Sequence, residues 1–277
     1  KLKPDVVIGI DSPDFNFRVA KKLVGKGIPL MHFVAPSVWA WRPKRAAKIA
    51  RIIDHLMTLL PFEPPYFEKF GLKTTYVGHP VLESGADRGD GVAFRKRYKI
   101  DDKECVILLL FGSRRAEVVR HIPEFFKTIS LLRKMVGNFR VITVTSPHNT
   151  DMISEAIKEY PYNITLISDP SQKFDAFAAS DVSLAASGTV ALELAMAMVP
   201  SIIAYGANSF TGWIVKRLVN ISFANLVNIT LDREVIPEFL FERCQANLMA
   251  SALQNLMTSK DARIQQIKGY TQALQQL

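Results

Sequence analysis

Short apolar runs alternate with amphipathic stretches along most of this chain, and few folds absorb such an order. Val6–Ile10 is an apolar run ending at Asp11. Phe15, Val19 and Leu23 then recur every four residues, with Arg18, Lys21, Lys22 and Lys26 opposite and Gly27 closing the pattern. That spacing predicts a strand, then a helix with Phe15, Val19 and Leu23 inward. Pro29–Val34 reads as the next strand. A second helix follows Pro43, with Ala46, Ile49, Ala50 and Ile53 inward and Lys44, Arg45, Lys48 and Arg51 outward. His55–Leu60, Phe62–Phe70 and Thr74–Val77 continue as strand, helix and strand. Repeated units of this kind build a parallel sheet with helices on both faces.

Residues 81–103 interrupt the pattern with Gly85, Gly89, Gly91 and several charges, and they read as a domain crossing. The alternation restarts with the strand Val106–Leu110 and the long helix Glu117–Met135. Val141–Val144, Met152–Glu159, Ile164–Ile167, Phe174–Ala179, Val182–Ala185, Thr189–Met198 and Ser201–Tyr205 follow in turn, and a helical tail begins near Gln245. The reading is an α/β chain of two Rossmann-like lobes: residues 1–84, a crossing at 85–103, and residues 104–277. A length of 277 residues suits two lobes better than one core.

Composition excludes several classes. At 48% hydrophobic and 22% charged, the chain is globular rather than disordered. Apolar runs such as Val106–Phe111 fall far below the roughly 18 residues of a transmembrane helix. Asp11 and Asp14 come too early for the apolar core of a signal peptide. Cys105 and Cys244 are too few for a disulfide framework and suit a reducing compartment. The expectation is a soluble, cytoplasmic protein.

Charge narrows the partners. There are 35 Lys and Arg against 26 Asp and Glu, and the excess lies within the first hundred residues. Such a field attracts nucleic acid, an anionic membrane or a phosphorylated substrate, or else serves solubility. Arg42–Arg51 holds five basic residues in ten, preceded by Trp39 and Trp41. No nucleic-acid module is recognisable, and aromatics beside lysine and arginine equally describe interfacial membrane contact.

Chemistry in open parallel sheets gathers at the carboxyl ends of the strands. The first strand ends in Asp11-Ser12-Pro13-Asp14. Asp11 is a candidate general base or ribose clamp, whereas Asp14 suits capping of the next helix. In the second lobe Gly112-Ser113-Arg114 and Ser187-Gly188-Thr189 each follow a strand and open a helix. Both offer backbone N–H groups and a hydroxyl to an anion. Neither is a Walker loop, and no G-x-G-x-x-G occurs. Two such turns, with Arg114 beside one and Glu193 a turn into the other, point to a nucleoside diphosphate whose sugar hydroxyls meet a carboxylate. His79, in Gly78-His79-Pro80, is either a structural histidine or a ligand contact at the same edge. The five histidines and two cysteines have no metal-ligand spacing, so neither metal nor cofactor is expected.

Specific strings then accumulate. Gly9-Ile10-Asp11-Ser12-Pro13-Asp14-Phe15-Asn16, Pro36-Ser37-Val38-Trp39-Ala40-Trp41-Arg42, Leu60-Pro61-Phe62-Glu63 and Val77-Gly78-His79-Pro80 resemble lipid-A-disaccharide synthases. So do Gly112-Ser113-Arg114 with Glu117, Ser187-Gly188-Thr189 with Glu193, and Asn228 followed by Arg233-Glu234 and Pro237-Glu238. The resemblance implies a GT-B glycosyltransferase of Gram-negative bacteria with its site between two lobes. It implies metal-independent, inverting transfer from UDP-2,3-diacylglucosamine to 2,3-diacylglucosamine 1-phosphate. Asp11 and Arg114 would act in catalysis, and Gly112, Ser113, Ser187, Gly188, Thr189, Glu193 and Asn228 would bind the nucleotide sugar. Trp39, Trp41, Arg42, Lys44, Arg45, Lys48 and His79 would face the acceptor or the anionic inner membrane, where the enzyme would sit peripherally. A homodimer is compatible with this reading, and nucleic acid is not expected as a partner.

The chain also departs from the family pattern. Relatives carry a preceding stretch with a Gly-rich loop, so the first lobe is expected to be incomplete, and the final helix, due after Leu277, to be short or absent. Phe111 stands where a proline is usual, and Tyr205-Gly206-Ala207-Asn208 lacks a basic residue. These departures keep two alternatives in view: a non-catalytic remnant that binds UDP or a partner, and another UDP-sugar enzyme such as a 2-epimerase.

Overall fold

The computed structural model describes residues 3–41, 43–206 and 222–277. Arg42, Ala207 and Asn208 lie outside the described residues. The chain forms two compact units, one holding residues 3–80 and 276–277 and the other 81–206 and 222–275, counted over described positions.

The first unit alternates β1 (Val7–Ile10), α1 (Pro13–Lys21), β2 (Leu30–Phe33), α2 (Arg45–Ile49), β3 (His55–Thr58), α3 (Pro65–Glu68) and β4 (Lys73–Tyr76). Its strands pair in parallel in the order β1-β2-β3-β4. Phe17, Leu30, Ile49, Leu56 and Phe67 form its core. The inward face expected for α2 is the one observed at Ala46, Ile49 and Ile53. That of α1 differs. Phe17 and Ala20 are buried, while Phe15 and Val19 are 65% and 39% exposed. The Asn16 side chain donates to the carbonyls of Ile10 and Asp11, at 3.0 and 2.6 Å. Those bonds fix the helix's rotation and turn the next residue, Phe17, onto the sheet.

The second unit holds α4 (Gly91–Arg97), β5 (Val106–Leu110), α5 (Arg115–Val136), β6 (Arg140–Val144), α6 (Thr150–Lys158), β7 (Ile164–Ile167), α7 (Lys173–Ala178), β8 (Val182–Ala186), α8 (Val190–Met196) and β9 (Ser201–Tyr205). It continues with α9 (Leu226–Leu231), β10 (Glu238–Leu240), α10 (Ala246–Thr258) and α11 (Lys260–Leu274). Six parallel strands run in the order β10-β9-β8-β5-β6-β7. Every residue of β5 and β8 is buried, as parallel strands between two helical layers should be. Within the sheet Ser183 and Thr143 donate their hydroxyls to the carbonyls of Leu108 and Leu109.

The stretch 85–103, read above as a crossing, carries α4, capped by Asp90, whose carboxylate accepts from Ala93 N–H at 2.8 Å. Two of its glycines are sites of close approach. A Cβ at Gly91 would lie 2.4 Å from the Ala178 carbonyl oxygen, and one at Gly89 would lie 2.0 Å from that of Phe174. The short strand β10 and helix α9 escape the sequence periodicity.

The helical tail is anchored by polar groups inside the core. Gln266 accepts from Ser201 N–H at 2.6 Å and donates to the Ser201 and Val235 carbonyls. Tyr270, fully buried, places its hydroxyl 2.8 Å from Ser201 Oγ and 2.9 Å from Gln266 Oε1. Gln266→Leu strands several of these groups without partners. Chemical denaturation should show a loss of about 1–3 kcal/mol, the penalty of an unmade buried hydrogen bond; an unchanged midpoint would assign the anchoring to apolar packing alone.

Candidate active site

In the second sheet β5 has β6 on one side and β8 on the other, so the connections that follow β5 and β8 lead off in opposite directions. That reversal opens a crevice at the carboxyl ends of the strands. A cleft of about 570 Å³ lies there, and both turns singled out in the sequence line it. Gly112, Ser113 and Arg114 lead from β5 into α5, while Ser187, Gly188 and Thr189 lead from β8 into α8. Thr145 and Ser146 after β6, Lys173 at the start of α7, and Glu117 and Glu193 contribute further polar groups to the wall.

The first turn is held from two sides. Asn149, 1% exposed, donates its amide to the Ser113 carbonyl at 2.9 Å and to Ser146 Oγ at 3.2 Å. Glu117 accepts from Arg114 N–H at 3.4 Å and from Arg114 Nη1 at 2.8 Å. Gly112 makes room for that carboxylate. Its φ is +108°, and a Cβ there would lie 2.9 Å from Glu117 Oε2; both facts favour glycine. Phe111, the departure from the family pattern, is buried with its ring 5.4 Å from that of Phe125 and 5.5 Å from that of Phe126.

Glu193 lies in the first turn of α8 with both carboxylate oxygens 2.7 Å from Lys173 Nζ. Sequence reasoning missed Lys173. The available signal was electrostatic: a cation in the first turn of a helix opposes the helix dipole and calls for an outside partner. Asn149 and His121 were missed as well, since buried polar side chains leave no period in the sequence.

Asn228 does not join the cleft. Its Oδ1 accepts from Val235 N–H at 2.8 Å and Ile236 N–H at 2.9 Å, and its amide donates to the Ile236 carbonyl at 2.8 Å. This fully buried side chain spends its bonding capacity on the turn between α9 and β10.

In the first unit Asp11 and Ser12 sit at the carboxyl end of β1 with φ of 47° and 39°, a left-handed elbow that costs energy in L-residues. Ser12, not Asp14, occupies the helix cap, and Asp14 pairs with Arg45 at 2.5 Å. His79 follows β4, at the other edge of that sheet from Asp11, with β2 and β3 between. Burial lowers the His79 pKa. Trp39 is turned inward: its indole N–H donates to Glu63 at 3.2 Å, and its ring meets Phe62 edge-on at 5.2 Å. Glu63 is buried and also accepts from Leu59 and Leu60 N–H. Burial pushes its carboxyl pKa up, against the pull of these hydrogen bonds. Trp41, Lys44 and Lys48 are exposed.

These features define the class: an α/β chain with parallel sheets and a switch-point cleft, the GT-B architecture of nucleotide-sugar transferases and epimerases. A UDP-GlcNAc 2-epimerase from Neisseria meningitidis, solved with UDP-GlcNAc, superposes with a TM-score of 0.63 at 12% identity, over 98% of this chain and 76% of its own. The family model for lipid-A-disaccharide synthetase matches residues 1–277. A lipid-A-disaccharide synthase of Rhodospirillum centenum is 48% identical over 272 residues, covering 97% of this chain and 68% of that one. Another from Paramagnetospirillum magneticum is 42% identical over 279 residues, covering 99% and 71%. The chain belongs to the lipid-A-disaccharide synthase family, glycosyltransferases of lipid A biosynthesis.

Behind the first turn, His121 has its tautomer fixed by its partners. Nδ1 faces the Phe111 carbonyl at 2.8 Å, so it carries the proton, and Nε2 accepts from Gly206 N–H at 3.1 Å. Burial lowers its pKa, as does the lack of room for a second proton at Nε2. A histidine held neutral in the fold but protonated when unfolded stabilises above its ordinary pKa of about 6.5 and loses that stabilisation as pH falls towards its folded value. The stability of the protein relative to His121→Gln should therefore shrink between about pH 7 and pH 5. A difference that is constant across denaturation curves in this range would show that His121 does not titrate there.

Proposed function

We propose that the chain transfers 2,3-diacylglucosamine from UDP-2,3-diacylglucosamine to the 6-hydroxyl of 2,3-diacylglucosamine 1-phosphate, inverting the anomeric carbon and releasing UDP. The observation that carries this reading is the convergence of two strand-to-helix turns on one cleft, with a carboxylate on one wall and an arginine on the other. The Ser113 and Thr189 turns receive the diphosphate, and Glu193 takes the ribose hydroxyls. Negative charge that develops on the leaving phosphate as the glycosidic bond breaks meets the N-terminus of the 22-residue α5 and Arg114. The guanidinium is paired with Glu117 while its own side chain remains 82% exposed, so it is open to a ligand in the cleft.

Inversion at the anomeric carbon is a direct displacement, and the attacking hydroxyl must lose its proton as the new bond forms. Asp11 is the base in this reading. Its exposed carboxylate ends a strand, as acid–base groups of parallel sheets do, and the strained elbow that presents it fits a functional position. The enzyme works at the cytoplasmic face of the inner membrane. Exposed Trp41, Lys44 and Lys48 suit an interface with anionic headgroups, and among the described residues no helix is long and apolar enough to cross a membrane.

Glu193→Ala should weaken UDP binding by about 1–3 kcal/mol, the range for a hydrogen bond to a charged group left unmade. Calorimetry that finds the same affinity in both proteins would remove the ribose role. Asp11→Asn should slow the chemical step about 10²–10⁴-fold while leaving UDP affinity unchanged. Single-turnover rates within a few-fold of the parent would show that the proton leaves by another route.

A further inference from the structure

Lys173 Nζ stands 2.7 Å from Oε1 and 2.7 Å from Oε2 of Glu193. Equal distances place the ammonium on the plane that bisects the carboxylate, bridging its two oxygens. A vicinal diol that chelates a carboxylate donates one hydroxyl to each oxygen and occupies the same place. The two cannot hold it together. If Glu193 takes the ribose hydroxyls, as proposed above, Lys173 has to leave first.

Where it would go follows from what surrounds it. Lys173 lines the cleft together with Ser113, Arg114, Ser187 and Thr189, so an ammonium released from Glu193 borders the volume that a diphosphate would fill. Its ammonium lies 5.1 and 5.7 Å from the ring centroids of Phe174 and Phe177, π-faces that support a cation without fixing its direction. Its own helix holds it poorly, since the first turn of α7 presents the positive end of a dipole. The side chains of Lys173 and Glu193 are 31% and 19% exposed. Parting them without a replacement for each leaves two half-desolvated charges uncompensated.

We infer that Lys173 is an exchangeable counter-ion: ligand binding moves its ammonium from Glu193 to the diphosphate, so the cleft accepts a nucleotide only when a vicinal diol and a phosphate arrive together. The diol repartners Glu193 and the phosphate repartners Lys173. A nucleoside without phosphate satisfies the carboxylate but strands the ammonium, and it is rejected for that reason. Lys173 is thus a specificity-determining residue, and its effect appears as a ratio of affinities.

The test is titration of UDP and of uridine into the protein, Lys173→Met, Lys173→Gln and Glu193→Ala. Removing the ammonium should raise uridine affinity by about threefold and lower UDP affinity by about tenfold, so that the preference for UDP contracts by more than an order of magnitude in both Lys173 variants. A loss of affinity for both ligands would make Lys173 a mere support for Glu193 and overturn the exchange. A gain for both would mean the ammonium never reaches the phosphate, and no change would remove it from recognition; either result also overturns the proposal. Glu193→Ala separates the two levels of argument. If it leaves both affinities untouched, the ribose reading has failed; if it weakens both ligands while the Lys173 variants behave like the parent, only the exchange has failed.

Discussion

Burial of β5 and β8 on both faces sets the terms for the rest of the second unit. A parallel strand with helices above and below it has no solvent side, so every side chain along Val106–Leu110 and Val182–Ala186 is enclosed. The hydroxyls of Ser183 and Thr143 are consumed within the sheet by neighbouring carbonyls. Polar chemistry is thereby expelled to the strand ends. Because β5 is flanked by β6 on one side and β8 on the other, the loops that follow diverge and leave a cleft where two helices begin.

Helix α5 links that cleft to the body of the unit. Its first turn carries the Arg114–Glu117 pair at 2.8 Å. One turn further on, Arg120 donates to the Gly206 carbonyl at 2.9 Å while His121 accepts from the Gly206 N–H, so both backbone groups at the exit of β9 are grasped by consecutive residues. Another turn on, Glu124 accepts from Ala246 N–H at 3.1 Å, at the start of α10. The loop at the cleft, the end of β9 and the first residue of α10 are thus registered against one 22-residue rod. A displacement of α5 along its axis would disturb all three together.

The alternation of strands and helices was legible because buried parallel strands are uninterrupted apolar runs, and both cleft turns announced themselves as Gly and Ser between a strand and a helix. The residues that escaped did so for physical reasons. Lys173 acquires meaning only through Glu193, twenty positions away. Asn149 is a buried side chain whose carbonyl partner, Ser113, lies 36 positions away, and Asn228, read as a ligand contact, bonds the backbone of Val235 and Ile236 instead. Trp39 looks interfacial beside its basic neighbours, and only the buried carboxylate of Glu63 turns it inward. The face of α1 was misread because a periodicity of four fits Phe15, Val19 and Leu23 as well as any core, whereas the rotation is set by the hydrogen bonds of Asn16, a constraint that hydropathy does not carry. The β10 strand, three residues long, is too short for any period to register.

The elbow at Asp11 and Ser12 has a bearing on how this family can diverge. Two consecutive L-residues with φ of 47° and 39° occupy a region costing roughly 1–2 kcal/mol per residue for most side chains, and least for Asp, Asn and Gly. If Asp11 is the base, as proposed, position 11 is filtered twice, once by the chemistry of its carboxylate and once by backbone geometry. The geometric filter does not lapse when the chemical one does. A lineage that abandoned catalysis would still be held near Asp, Asn or Gly at this position by folding stability, and the ordinary drift towards Val, Ile or Leu at a disused site would be slow. Among descendants of such a protein, the exchange of Asp for Asn or Gly, rather than loss of the small residue, is the mark that selection on the carboxylate has ended.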